Sequence, residues 1–168
     1  LPSVNGRMAS YRTDKGFSVI IDFAHTPDSF EKIFKAVRPL TKGKLTAVFG
    51  CAGERDQERR YLQGTLAADY CERIILTEDD PRSESNEAIN AQIREGIAKS
   101  KKKPEVIENN VREEAVDKAV ELAEKGDVIL LLSKGHEKSI ALADGKSKPW
   151  DEEKALKDAL KHHGIKLL

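Results

Sequence analysis

Cysteine is scarce: Cys51 and Cys71 are the only two thiols in 168 residues. They show neither Cys-x-x-Cys nor Cys/His spacing, so neither a disulfide framework nor a zinc site is indicated, and a reducing cytoplasm fits. Net charge is absent as well. Lys+Arg and Asp+Glu both number 29, which leaves no overall field to draw in nucleic acid or an anionic membrane. No apolar run approaches the roughly 20 residues of a membrane span, and no signal-peptide pattern opens the chain. Three nucleotide or hydrolase signatures are missing too. There is no Gly-x-x-x-x-Gly-Lys-[Ser/Thr] phosphate loop and no Gly-x-Gly-x-x-Gly after the first strand-like run. There is also no Gly-x-Ser-x-Gly elbow. Cradling of a nucleoside triphosphate by this chain alone, dinucleotide-dependent redox chemistry and serine hydrolysis are therefore disfavoured.

What is present reads as one α/β domain with a real core. The 35% of charged residues suits solvated helix faces. Leu1 to Lys15 is polar and irregular, a linker or a short lead-in strand. The nearly all-apolar run Phe17 to Phe23 is a strand covered on both faces. Thr26-Pro27 is a helix start, with Thr at the N-cap and Pro at the first helical position. Phe30, Ile33, Phe34 and Val37 then form one apolar face. A second strand, Lys44 to Gly50, leads into the charged loop Gly50 to Arg60, and a helix is expected from about Tyr61 to Tyr70. The strand Ile74-Ile75-Leu76 stops at Thr77-Glu78-Asp79-Asp80-Pro81-Arg82, because Pro81 lacks an N–H and biases Asp80 toward extended geometry. Taken alone, this turn reads more simply as a solvated one followed by a Ser83 or Ser85 cap.

Ile89, Ile93 and Ile97 mark the next helix, and the Lys99–Lys103 run beyond them reads as its C-terminus, favoured by the macrodipole. Glu105-Val106-Ile107 is a short strand, and a helix over Glu113 to Lys125 is stopped by Gly126. Asp127 to Leu132 is the most apolar strand and is expected at the centre of the sheet. Ile140 to Leu142 and Lys146 to Trp150, around Asp144-Gly145, form a small hairpin. Asp151 caps the last helix. The alternation implies a Rossmann-like, doubly wound, mostly parallel sheet of about six strands, with helices on both faces.

In that fold the unusual chemistry falls at strand ends: Asp22/His25, Arg55/Asp56, Asp79 to Arg82, and Lys134/His136/Glu137. Open α/β sheets bind ligands at this edge. An Arg flanked by acids can hold both ends of a zwitterion, the guanidinium taking a carboxylate and the acids an ammonium. His162 and His163 lie in a polar terminal helix and read as inert. The rim offers binding groups but no nucleophile with its base, which is the profile of half an active site.

The motifs Gly6-Arg7-Met8, Asp22-Phe23-Ala24-His25-Thr26-Pro27-Asp28, Phe49-Gly50-Cys51-Ala52-Gly53-Glu54-Arg55-Asp56, Asp79-Asp80-Pro81-Arg82 and Lys134-Gly135-His136-Glu137 occur in this order. Together they resemble the C-terminal domain of the Mur ligases, and within them the UDP-N-acetylmuramoyl-tripeptide synthetase type. The resemblance covers essentially the whole chain. It implies a lead-in over residues 1–15 and the ligase C-terminal domain over 16–168. A UDP-sugar-binding N-terminal domain and a central ATPase domain are expected outside this piece, which opens Leu-Pro-Ser and not with Met. In that family ATP phosphorylates the terminal carboxylate of UDP-MurNAc-L-Ala-D-Glu, and the incoming amine attacks the acyl phosphate, releasing ADP and phosphate. Mg²⁺ is held mainly by the central domain, where the family also keeps its phosphate loop.

The resemblance assigns Arg7, Asp22 and His25 to the nucleotide. It assigns Arg55, Asp79, Asp80, Pro81, Arg82, Ser133 and Glu137 to the amino-acid pocket, and no metal ligand to this domain. Arg55 and Arg82 would clamp carboxylates and Glu137 an ammonium, which suits meso-diaminopimelate. Two positions depart from the family pattern. Asp80 stands where the motif has Asn, losing an amide donor and adding a charge, and Ser133 stands where Gly is usual. A lysine-like acceptor therefore stays open beside meso-diaminopimelate. So do a non-catalytic binding module on the same fold and a sister ligase such as folylpolyglutamate synthetase, although the Asp79–Arg82 and Lys134–Glu137 motifs speak against the last.

Overall fold

The most apolar run of the chain, Val128–Leu132, is fully enclosed and has a parallel neighbour on each side. A computed structural model describes residues 8–168, so Arg7 lies outside the described residues. In chain order the elements are β1 (Met8–Arg12), β2 (Ser18–Asp22), α1 (Pro27–Val37), β3 (Leu45–Phe49), α2 (Glu58–Tyr70), β4 (Arg73–Leu76), α3 (Asn86–Ala98) and β5 (Glu105–Glu108). They continue with α4 (Arg112–Leu122), β6 (Val128–Leu132), β7 (Ser139–Ala141), β8 (Ser147–Pro149) and α5 (Glu152–His162). The main sheet has the order β1-β2-β6-β3-β4-β5, with β1 antiparallel and every other pairing parallel. The hairpin β7–β8 is separate from it.

The pleat sends successive side chains to opposite faces, so an all-apolar strand feeds two cores at once. Ile20, Ala47, Ile74 and Leu130 join α1, α2 and α3 through Phe30, Phe34, Ala67 and Ile93. Val19, Val48, Ile75 and Leu131 join α4 and α5 through Val116, Val120, Leu156 and Leu160 on the other face. The doubly wound sheet inferred from the alternation is the observed architecture. Cys51 and Cys71 are buried and unbridged.

Several boundaries differ from the sequence reading, each for a local reason. Helix α2 starts at Glu58, three residues before Tyr61, because the Asp56 carboxylate accepts from Glu58 N at 3.0 Å and turns the loop into the helix. Helix α4 ends at Leu122, short of Lys125. There the Asp127 carboxylate takes Glu124 N at 2.9 Å and Lys44 N at 2.8 Å, fastening the chain across to β3. Helix α3 has no basic residue in its last turn, since Lys99 is its C-cap and the remaining lysines lie beyond it. At Thr26 the expected cap is a reciprocal one: Thr26 Oγ1 accepts from Ser29 N, and Ser29 Oγ accepts from Thr26 N.

Leu130 lies fully buried on the central strand, with a parallel neighbour on each side. Leu130→Ala is expected to lower the unfolding free energy by about 2–5 kcal/mol, read by urea denaturation monitored by circular dichroism.

Candidate functional site

The strand order places four carboxyl ends side by side, and specific contacts tie each to the next. Asp22 at the end of β2 pairs in register with Leu132 at the end of β6. From there Ser133 Oγ reaches Gly50 O, past the end of β3, at 3.4 Å. Gly50 and Gly53 lie so close to the following turn that a Cβ would collide with the carbonyls of Thr77 and Pro81 respectively. This is why the loop after β3 carries glycine there. Gly53 N donates to Asp80 O at 2.8 Å, and Gly53 O accepts from Arg82 Nη1 at 2.9 Å. Asp79 to Arg82 and Ser133 therefore lie at one edge, with Glu137 joined to them through Lys134.

At its centre lies Lys134, which is fully buried. Its Nζ is 2.8 Å from Asp80 Oδ1, 3.2 Å from Glu137 Oε2 and 3.6 Å from Asp79 Oδ1. Burial alone would lower the Lys134 pKa, but these carboxylates outweigh it and the net shift is upward. Asp79 moves the other way from an ordinary acid. Its pKa is raised to about 6, chiefly by burial, with Lys134 and Arg112 holding it back and the charges of Asp80 and Glu137 adding to the rise. Asp79 Oδ1 is buried and accepts no hydrogen bond. Asp80 Oδ1 is occupied twice, by Lys134 and by Ala141 N at 2.7 Å.

Two residues of the cluster hold left-handed backbone geometry that non-glycine residues disfavour: Arg82 with φ 51° and Ser133 with φ 84°. Each such conformation costs about 1–3 kcal/mol and persists only where its surroundings enforce it. Arg82 N donates to Ala141 O at 3.1 Å, so the β7–β8 hairpin grips the acidic turn from above. At Ser133 the geometry accounts for glycine being the simpler choice. The Arg82 guanidinium makes no side-chain hydrogen bond among the described residues other than that to Gly53 O. Most of its five N–H donors have no protein acceptor among the described residues.

Arg55 is exposed on the neighbouring loop and donates to Glu54 O at 3.0 Å. It borders a narrow cavity of about 30 Å³, together with His25, Cys51 and Asp79. Burial pushes the Cys51 thiol up, so it is not a nucleophile. His25, exposed and 2.9 Å from Phe23 O through Nδ1, also borders a much larger open groove of about 810 Å³, shared with Asp22, Phe23 and Lys32. Asp22 Oδ2 accepts from Ala24 N at 2.7 Å. His25 thus stands between the acid cluster and the groove.

Three long cations outside the binding residues expected from the sequence fix this rim. Lys134 is the first. Arg112 at the start of α4 pairs with Glu152 of α5 (Nε to Oε1 3.0 Å, Nη2 to Oε2 2.9 Å). It also donates to the carbonyls of Glu78 at 2.8 Å and Leu132 at 2.7 Å, two of the strand ends. Arg60 pairs with Glu84 (2.8 and 3.0 Å) and donates to Ala52 O at 3.0 Å, joining the loops after β3 and β4. Arg60 and Arg112 lie in polar stretches where no sequence signal separates them from surface cations, whereas the sequence puts Lys134 on the rim but does not show its burial, which comes through tertiary packing. Away from the rim, His162 and His163 both contact the Asp117 carboxylate, at 2.8 and 3.0 Å, joining α5 to α4.

The chain matches the model of the Mur ligase glutamate ligase domain over residues 6–135. It is 43% identical over 173 residues to the UDP-N-acetylmuramyl-tripeptide synthetase of Roseiflexus sp. (strain RS-1), covering 98% of this chain and 32% of that protein. It is 46% identical over 135 residues to the UDP-N-acetylmuramoyl-L-alanyl-D-glutamate–2,6-diaminopimelate ligase of Aquifex aeolicus (strain VF5), covering 80% of this chain and 27% of that protein. A solved structure of a UDP-N-acetylmuramoyl-L-alanyl-D-glutamate–2,6-diaminopimelate ligase superposes with a TM-score of 0.87 at 33% identity, over 98% of this chain and 33% of that one. A bifunctional folylpolyglutamate synthase/dihydrofolate synthase shares the fold, with a TM-score of 0.58 at 19% identity. The chain spans about a third of the length of the curated relatives it matches.

The Arg112–Glu152 pair is wholly buried, so removing one partner leaves an uncompensated charge. Arg112→Met is expected to destabilise the fold by about 3–5 kcal/mol, while Arg112→Met with Glu152→Met recovers most of the loss. Urea denaturation of both variants checks this.

Proposed function

Since the chain belongs to the Mur ligase family, whose glutamate ligase domain it carries, we propose that it supplies the amino-acid site of an ATP-dependent, ADP-forming amide ligase. The enzyme as a whole adds a diamino acid, meso-diaminopimelate by preference, to UDP-MurNAc-L-Ala-D-Glu in the cytoplasm. Residues 16–168 serve as this domain and residues 1–15 as its lead-in. The N-terminal and central ATPase domains of such an enzyme complete the site.

One observation carries the reading. A guanidinium with unspent donors, that of Arg82, sits on the same turn as a buried carboxylate with an unspent oxygen, that of Asp79. A side chain ending in both a carboxylate and an ammonium needs this opposed pair, whereas a lysine side chain has no use for the arginine. Glu137 is the second acceptor for the ammonium, Arg55 and Ser133 border the seat, and Pro81 sets the turn.

The groove beside Asp22 and His25 suits the nucleotide. Its volume of about 810 Å³ falls in the range of small-molecule sites, about 300–1,000 Å³, and an acceptor-only carboxylate at Asp22 suits ribose hydroxyls. Mg²⁺ does not fit the rim. It requires an open set of oxygen ligands, and the acids here already surround the Lys134 ammonium. The Asp117/His162/His163 group offers two nitrogens and so does not suit Mg²⁺ either. The metal is then a matter for the central domain, where it would neutralise phosphate charge.

Arg82→Ala in the full-length ligase tests the reading. It leaves a substrate carboxylate without its partner, worth about 1–3 kcal/mol, so KM for meso-diaminopimelate is expected to rise roughly 5- to 150-fold. Offering L-lysine to the same enzymes separates the two acceptors. Unchanged kinetics with meso-diaminopimelate, or a wild-type preference for L-lysine, would contradict the assignment.

A further inference from the structure

We propose that Asp117, His162 and His163 form a binding site for a divalent transition-metal ion of the zinc class, separate from the amino-acid seat and from the nucleotide groove. One carboxylate is met by two imidazoles, one on each oxygen. His162 Nδ1 lies 2.8 Å from Asp117 Oδ1, and His163 Nε2 lies 3.0 Å from Asp117 Oδ2. The ring centroids are 4.5 Å apart. The two nitrogens and a carboxylate oxygen all fall within 4.8 Å of one another. Asp117 belongs to α4, while His162 ends α5 and His163 is its C-cap. The three donors therefore come from two packed helices and not from one flexible loop.

Two imidazole nitrogens and one carboxylate oxygen are a donor set for zinc-type ions, whereas magnesium and calcium take shells of oxygen. Bonds of about 2.0–2.2 Å to nitrogen and oxygen set neighbouring ligands of a tetrahedral ion about 3.3 Å apart. The present separations of 2.8 and 3.0 Å are slightly shorter, so small ring rotations bring the three atoms onto one ion. His162 is well exposed and free to turn, while His163 and Asp117 are held by partial burial. The fourth position faces solvent and would be filled by water. The carboxyl end of α5 adds the negative pole of the helix dipole, which favours a cation there. Lys118, beside Asp117 in sequence, is turned to Glu121 at 2.9 Å and does not occupy the site.

Occupation of the site has a specific proton signature. A carboxylate only accepts, so in the metal-free chain the ring nitrogens facing Asp117 carry hydrogen. An ion needs the lone pairs of those same nitrogens. Its entry moves the proton of a neutral ring to the far nitrogen, Nε2 of His162 and Nδ1 of His163, and a charged ring releases a proton to solvent. Two hydrogen bonds between α4 and α5 are thereby exchanged for three bonds to one ion. The buried Arg112–Glu152 pair joins the same helices at the opposite end of α5, roughly 16 Å away along an 11-residue helix. Beyond His163 the chain is tied to the first strand, Leu168 N donating to Arg12 O at 2.9 Å. The ion would therefore stiffen the carboxyl-terminal segment without touching the rim.

Titration of this chain with Zn²⁺ alone, followed through imidazole ¹H–¹⁵N spectra, tests the proposal. The chain has 4 histidines, His25, His136, His162 and His163, so each signal is accounted for. Saturation at one ion per chain is expected. His162 Nδ1 and His163 Nε2 should change from protonated to metal-bound nitrogen, while His25 and His136 keep their shifts. The Tm should rise with added Zn²⁺, because the ion binds the folded chain, and Mg²⁺ at the same concentrations should do neither. His162→Ala, His163→Ala and Asp117→Asn are each expected to weaken Zn²⁺ binding roughly tenfold or more. The double variant His162→Ala/His163→Ala should lose the Zn²⁺-dependent gain in Tm. Failure of the wild-type spectra to saturate overturns the site, whatever the variants do. So does movement of His25 or His136 ahead of His162 and His163, an equal response to Mg²⁺, or undiminished Zn²⁺ binding in the folded double variant.

Discussion

An ammonium stripped of water is tolerated only where carboxylates surround it, and the rim of this sheet is built around one such group. Lys134 is fully enclosed and draws Asp79, Asp80 and Glu137 inward. Those acids belong to the turns after two different strands, so the ion cluster fixes the relative position of β4 and β6 at the edge where a ligand meets the sheet. Buried ion pairs are weak evidence of net stabilisation, because desolvation offsets much of the attraction. Their value here is geometric, since each long cation has one arrangement that satisfies it.

Arg112 and Arg60 extend the same principle outward. Arg112, locked to Glu152, reaches the carbonyls at the ends of β4 and β6 from the α4–α5 side. Arg60, locked to Glu84, ties the loops after β3 and β4 from the α2–α3 side. The left-handed backbones of Arg82 and Ser133 are held between these anchors. A preorganised turn of this kind presents an arginine and an unsatisfied acid together without waiting for the ligand to assemble them.

The layers and the rim were legible in the sequence, and the means of holding the rim were not. Alternating strands and amphipathic helices, the Thr26-Pro27 start, the central run Val128–Leu132 and the Asp144-Gly145 hairpin all depend on local pattern, and local pattern is what a sequence carries. The gathering of Asp79, Arg82, Ser133 and Glu137 followed from fold class alone, because a parallel sheet sends its carboxyl ends to one edge. The burial of Arg60, Arg112 and Lys134 depends on partners 24, 40 and 54 residues away in the chain, and nothing local marks it. The early start of α2 and the early end of α4 depend in the same way on single carboxylates, Asp56 and Asp127, acting as caps from the loops.

The central claim is that ends of separate strands act as one seat for a doubly charged amino acid. Amide ¹H–¹⁵N spectra of this chain titrated with meso-diaminopimelate address it most directly. The account predicts weak binding with concerted shifts in three segments, residues 50–57, 77–84 and 133–137, saturating together. Shifts confined to one of these loops, or scattered over the helices with the rim unmoved, would contradict it.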